Sequence, residues 1–135
     1  MAALTKDRNT QRKDSVQHDD PVAAATKIYA GSLVCLNAAG YAVPGSTSTT
    51  LTTRGVAQAQ VDNASGSAGD MTVPTRRGVF HFANSASTDE ITMADIGNDC
   101  YIVDDQTVAK TDGSSSRSVA GKIDSVDATG VWVEI

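Results

Sequence analysis

The sequence is poor in aromatic residues: Trp132, three tyrosines (Tyr29, Tyr41, Tyr101) and two phenylalanines (Phe80, Phe82) make up 4% of its 135 residues. That scarcity argues against a sugar-hydrolysing cleft, which needs stacking platforms as well as paired carboxylates. No apolar run approaches the ~20 residues of a membrane-spanning helix. The first residues lack the charged-then-apolar pattern of a secretory signal, so a soluble product of the cytoplasm with no membrane partner is expected. The two cysteines, Cys35 and Cys100, have no CxxC spacing, and His18 and His81 are not arranged around them; zinc is not expected. Each cysteine lies in an apolar run, Leu-Val-Cys-Leu and Cys-Tyr-Ile-Val. Such a position suits a buried reduced thiol, and a disulfide stays open should the two strands be neighbours.

Catalytic patterns are also missing. There is no G-x-S-x-G turn and no G-x-x-x-x-G-K-[ST] phosphate loop. The nearest glycine-rich piece, Ser65-Gly66-Ser67-Ala68-Gly69-Asp70, lacks the lysine and reads as a loop tip. The carboxylate pairs Asp89/Glu90, Asp104/Asp105 and Asp124/Asp127 all fall at expected turns, where aspartate hydrogen-bonds nearby backbone. His18-Asp19-Asp20 places three donors in a row, but consecutive residues rarely converge on one ion. The reading is therefore not an enzyme, with no catalytic residue, no metal and no cofactor.

What is present is Ala, Ser, Thr and Gly, 58 residues together. This composition favours strands and loops over a leucine-packed bundle. The net charge of −5 is unevenly spread. Residues 1–20 balance Lys6, Arg8, Arg12 and Lys13 against Asp7, Asp14, Asp19 and Asp20; residues 88–135 carry ten acids and three bases. A nucleic-acid partner would call for a basic stripe, and the acidic last third argues against one.

Residues 1–21 read as an extended N-terminal arm closed by Pro21, with neither helical nor strand periodicity and many charges. Residues 22–135 read as one all-β domain, a small antiparallel β-barrel or sandwich of short strands. Val22–Thr26 and Lys27–Ala30 form one extended stretch ending at Gly31. A hairpin follows, Ser32–Leu36 and Tyr41–Val43 around Asn37-Ala38-Ala39-Gly40. Ser46–Thr53 is a loop passing into an edge strand, and Val56–Val61 is a partly buried strand. Pro74 should place the strand Met71–Arg77 at an edge or a bulge. In Val79–Ala83, Val79 and His81 face one way and Phe80 and Phe82 the other. The single helical turn is expected near Thr92–Ile96. Hairpins at Cys100–Val103/Thr107–Lys110 and Val119–Asp124/Val131–Ile135 close the chain.

Arg76 and Arg77 are adjacent, so one projects from its strand to pair with a partner's carboxylate or to guard an edge. Trp132 faces opposite to Val131 and Val133 and reads as a core anchor, with a subunit interface as the other choice.

The arm before Asp20-Pro21-Val22 is followed by Ala30-Gly31-Ser32-Leu33-Val34-Cys35, Gly40-Tyr41-Ala42-Val43-Pro44, Arg54-Gly55-Val56-Ala57, Arg77-Gly78-Val79-Phe80 and Asp99-Cys100-Tyr101-Ile102-Val103-Asp104. On these segments the sequence resembles the small capsid decoration (cement, or minor capsid) proteins of tailed bacteriophages, particularly Mu-like and related Pseudomonas phages. The resemblance spans residues ~20–135 and rests on short, mostly structural motifs. It implies a virion protein made in the host bacterial cytoplasm and bound to the outer surface of the assembled icosahedral head, where it stabilises the capsid. Such proteins commonly sit as homotrimers where major capsid protein subunits meet. On that reading Lys6, Arg8, Arg12, Lys13, Asp20 and Pro21 contact the capsid, and Arg76, Arg77, Phe80 and Phe82 form the oligomer interface. The competing reading is a glycan- or receptor-binding module of a phage head fibre or tail, using exposed Tyr29, Tyr41 and Trp132.

Overall fold

A computed structural model describes residues 2–135. Its strands are β1 (Gln17–Pro21), β2 (Thr26–Ile28), β3 (Leu33–Leu36), β4 (Ala42–Pro44), β5 (Thr52–Ala57), β6 (Val61–Asn63), β7 (Thr72–Arg76), β8 (Val79–Phe82), β9 (Asp99–Ile102), β10 (Val108–Ala109), β11 (Val119–Asp127) and β12 (Gly130–Glu134). Two single 3-10 turns, Ser87–Asp89 and Met93–Asp95, are the helical elements among the described residues. The strands form two five-stranded sheets, β1-β7-β5-β3-β4 and β10-β9-β11-β12-β8, and a two-stranded sheet β2-β6. All strand pairs are antiparallel. The molecule is sandwich-like, without a closed barrel.

The layering follows from alternation along the strands. In β3, Leu33 and Cys35 enter one core with Phe82, Cys100, Ile102, Ile123, Val131 and Val133 of the β8–β12 sheet. Val34, between them, enters a second core with Ile28 and Val61 of the small sheet and with Val22, Ala42, Ala57 and Val73. The first sheet is thus the middle layer, buried on both faces, which is why Leu-Val-Cys-Leu is continuously apolar. The β8–β12 sheet covers one of its faces and turns its own outer face to water, and strands such as β12 alternate accordingly between buried and exposed residues.

Close approach of strands depends on glycines, among them Gly55 and Gly130. A Cβ on Gly55 would lie 2.7 Å from the Arg76 carbonyl oxygen, and one on Gly130 would lie 2.4 Å from that of Phe82. Only glycine lets the neighbouring backbones come so near.

Several expectations need correcting. The stretch before Gly31 is not continuous, because Ala25 takes a left-handed φ of 53° and turns the chain. β5 is an interior strand between β7 and β3. Val56–Val61 divides: Val56 and Ala57 end β5, and Val61 starts β6 in another sheet. Pro74 sits in β7, which β1 and β5 flank, not at an edge. Bonds from Arg77 N–H to Val16 O and from Val22 N–H to Met71 O make Asp19/Pro74 a non-hydrogen-bonded pair with β1. The absent N–H therefore faces the continuation of β5, where Gln58 N–H still donates to Pro74 O at 2.9 Å and only the return bond is missing. The helical turn is a 3-10 turn over Met93–Asp95, with Thr92 and Asp95 closing a capping box.

Candidate functional site

Residues 2–17 are exposed throughout. Before Val16, whose carbonyl accepts from Arg77 N–H, no backbone hydrogen bond among the described residues ties this segment to the body. Lys6, Arg8, Arg12 and Lys13 all lie here, exposed and without an ion pair among the described residues. With Asp7 and Asp14 as the only acids in 2–16, the segment carries a local excess of positive charge.

The expected arm of residues 1–21 is divided at this point, its first residue lying outside the described residues. Gln17–Pro21 is β1, paired along its whole length with β7. Asp20, expected to contact a capsid, instead accepts a bidentate pair of bonds from Arg54, at 2.7 Å to Nε and 3.2 Å to Nη2. Both side chains are largely buried, 15% and 27% exposed. Asp20 thus holds the arm to the middle sheet, and Pro21 is exposed beside it. Val22, fully buried, completes the root.

Of the residues expected at an oligomer interface, Arg76 and Arg77 are exposed and make no ion pair among the described residues. Phe82 is buried in the core and Phe80 packs against that core. Their rings face inward because β8 alternates, so Phe82 has no surface to give a second subunit.

Trp132 is not a core anchor. It stands on the outer face of the β8–β12 sheet at 38% exposure, opposite His81 in the ladder. The two rings meet edge to face with centroids 5.0 Å apart. Its indole N–H donates to Asp127 Oδ2 at 3.0 Å. Asp127 Oδ1 accepts from Thr129 N–H, Gly130 N–H and Thr129 Oγ1 at 2.8, 2.9 and 2.7 Å, with His81 Nε2 at 3.4 Å. These bonds, led by the Thr129 hydroxyl and backbone, hold the Asp127 carboxyl far below the usual carboxylate range. The Asp-Ala-Thr-Gly spelling of the turn anticipates the backbone bonds. Nothing in the sequence marks the recruitment of Trp132 and His81 from neighbouring strands.

A shallow groove beside this hairpin tip is lined by Asn84, Glu90, Thr92, Met93, Asp127 and Thr129, among others. Its polar side chains mostly serve to frame it. Asn84 bonds the Ile91 carbonyl and N–H, Thr92 bonds Asp95, and Asp127 is satisfied by its own turn. Few donors or acceptors remain to orient a small molecule, which is what a ligand pocket requires. Tyr29, 57% exposed, borders a smaller hollow with Asp105 and Gln106 and carries Lys27 Nζ over its ring at 5.0 Å.

Cys35 and Cys100 are buried and free; burial pushes each thiol up to about 12. No group of three metal-ligating side chains is present among the described residues, and no helix among them is long and apolar enough to cross a membrane. No protein-family model, curated protein or solved structure matches the chain.

Proposed function

We propose that the protein is a structural virion protein that binds the outer surface of an assembled icosahedral capsid and stabilises it by bridging major capsid protein subunits. The observation that carries this reading is the exposed, cationic segment 2–16 rooted in an all-β body. Such a segment can lie across neighbouring subunits and pair Lys6, Arg8, Arg12 and Lys13 with their carboxylates. The ordering cost of the arm is offset by the contact area it gains, and repeated copies on a symmetric shell add avidity. Asp20 and Pro21 serve this function at one remove, by fixing the root.

The test is to mix the protein with expanded heads that lack it and image them by cryo-electron microscopy. Ordered density at symmetry-related positions supports the reading; bare shells overturn it. A chain beginning at Gln17 keeps β1 and should fold but lose the heads. Undiminished binding by that chain would remove the arm from the assignment. A cut after Asp20 is unsuitable, since it strips β1 from the sheet.

The second reading, a glycan- or receptor-binding module of a head fibre or tail, is favoured by the exposure of Tyr29 and Trp132. Glycan binding that disappears in Trp132→Ala would select it.

A further inference from the structure

Two hollows on the surface differ in how their polar groups are used. In the groove beside Asp127 the side chains are mostly bonded to one another. The smaller hollow, of about 410 Å³, is lined by Tyr29, Ala30, Gly31, Ser32, Asp105 and Gln106, and here the side chains are largely unspent.

Two segments far apart in the sequence meet in it, and hydrogen bonds fix both backbones. The turn Tyr29–Ser32 is closed by Ser32, whose N–H and Oγ donate to the Tyr29 carbonyl at 3.2 and 2.6 Å. Gly31 N–H donates to Ala57 O at 2.8 Å and ties this turn to β5. The turn Asp104-Asp105-Gln106, between β9 and β10, is held by Leu33 N–H on Asp105 O at 2.8 Å. Gln106 N–H donates to Asp104 Oδ1 at 2.9 Å. What is left for a ligand is therefore side chains on a fixed frame. The half-buried Asp105 carboxylate has no ion pair or hydrogen bond among the described residues, and the exposed Gln106 carboxamide and Tyr29 hydroxyl have no partner among them either. The carboxylate only accepts, whereas the carboxamide both donates and accepts.

Charge decides what such a set can hold. Lys27 Nζ lies over the Tyr29 ring at 5.0 Å, where a cationic ligand would otherwise be attracted. Its charge also offsets that of Asp105. The ligand that suits the hollow is neutral, with a face of C–H groups for the ring and adjacent hydroxyls for Asp105 and Gln106. A pyranose has that form. Trp132, the other exposed ring, is already engaged: its N–H is given to Asp127 and His81 meets its ring.

We propose that the hollow lined by Tyr29 and Asp105 is a subsite for one neutral pyranose unit of a glycan. The sugar packs on Tyr29, donates hydroxyl hydrogens to Asp105 and accepts from Gln106. The proposal rests on the second reading, a glycan-binding module, and moves its contact from Trp132 to Tyr29. One ring held by few bonds binds weakly, and repeated copies raise the avidity.

Saturation-transfer difference NMR of the full chain with the methyl glycosides of glucose, galactose, mannose and N-acetylglucosamine tests it. Transfer to at least one of them, with a dissociation constant in the millimolar range, is the expected result; no transfer to any overturns the subsite and the glycan reading together. Asp105→Asn keeps the shape, removes the charge and should weaken binding about tenfold or more; full binding by this variant overturns the subsite. Tyr29→Ala should abolish binding, and Tyr29→Phe should keep most of it. Melting curves separate lost binding from lost folding, and if Tyr29→Ala does not fold, Asp105→Asn decides. Trp132→Ala should bind as the parent does. Loss in Trp132→Ala with full binding in Asp105→Asn leaves the glycan reading standing and overturns the site at Tyr29. Choline bound in place of the glycosides overturns the neutral ligand.

Discussion

The middle sheet and the outer β8–β12 sheet have the same number of strands and nearly opposite surroundings. Every residue from Leu33 to Cys35 is fully buried, alternating between two cores. In β12, Val131 and Val133 are fully buried while Trp132 and Glu134 meet water. Consecutive substitutions should all be costly in the first, and alternately costly and harmless in the second. The difference teaches that the middle sheet carries the fold, while the outer sheet has a face free to change.

The largest test is a pair of truncations in β3. Leu33→Ala and Val34→Ala remove side chains from different cores, and each should lower unfolding free energy in urea, the leucine by ~2–5 kcal/mol. If Val34→Ala proves neutral, the second core does not act as one. A substitution of opposite sign comes next. Thr75 is 1% exposed, and its hydroxyl has no hydrogen-bond partner among the described residues. Thr75→Val keeps the shape and removes the orphan, so calorimetry should show a gain of ~1 kcal/mol.

Acid separates the sheets in another way. Asp127, Asp89 and Asp95, all of them in or beside the outer sheet, have carboxyls held below the ordinary value near 3.8, for Asp127 and Asp89 mainly by threonine hydroxyls and for Asp95 by the Thr92 N–H. A depressed folded value gives stability that is complete above the unfolded value and is lost as pH falls toward the folded one. The melting temperature should therefore hold at neutral pH and decline below about pH 4. Asp127→Asn should be less stable at neutral pH and lose less on acidification; an identical acid profile would remove the hairpin tip from this account. The smallest effect belongs to the outer face. Lys122 and Asp99 are exposed and paired at 2.6 Å, and Lys122→Ala should leave the melting temperature unchanged within error, since such pairs contribute little.

The contrast was only partly legible in the residues. Local hairpins could be read because their turns are spelled out: Asn37 to Gly40 and Asp127 to Gly130 join the strands as expected. That Phe80 and Phe82 share one side of β8 could be read from alternation; that this side faces the core and not a second subunit could not. Which strands lie in the middle could not, because β5 meets β7 and β3 through long-range pairing that no local pattern records. Pro74 suggested an edge or a bulge, yet it lies between two strands, where Gln58 donates to its carbonyl and only the return bond is missing. Trp132 suggested a core, yet Asp127 gives its N–H a partner at the surface. The arm's cations were visible as a charged stretch; that its last five residues are a strand became clear only with β7 beside them.

The way the arm is rooted has a mechanical consequence. β1 lies antiparallel along the full length of β7, with the Asp20–Arg54 pair and buried Val22 at its far end. Tension drawn along the strand from Val16 loads all the backbone bonds of that ladder at once, with the ion pair and Val22 behind them. Tension drawn away from the sheet loads the Val16–Arg77 bond first and opens the rest one after another. The segment is thus a tether with a strong direction and a weak one, able to resist shear across a surface while yielding to peeling.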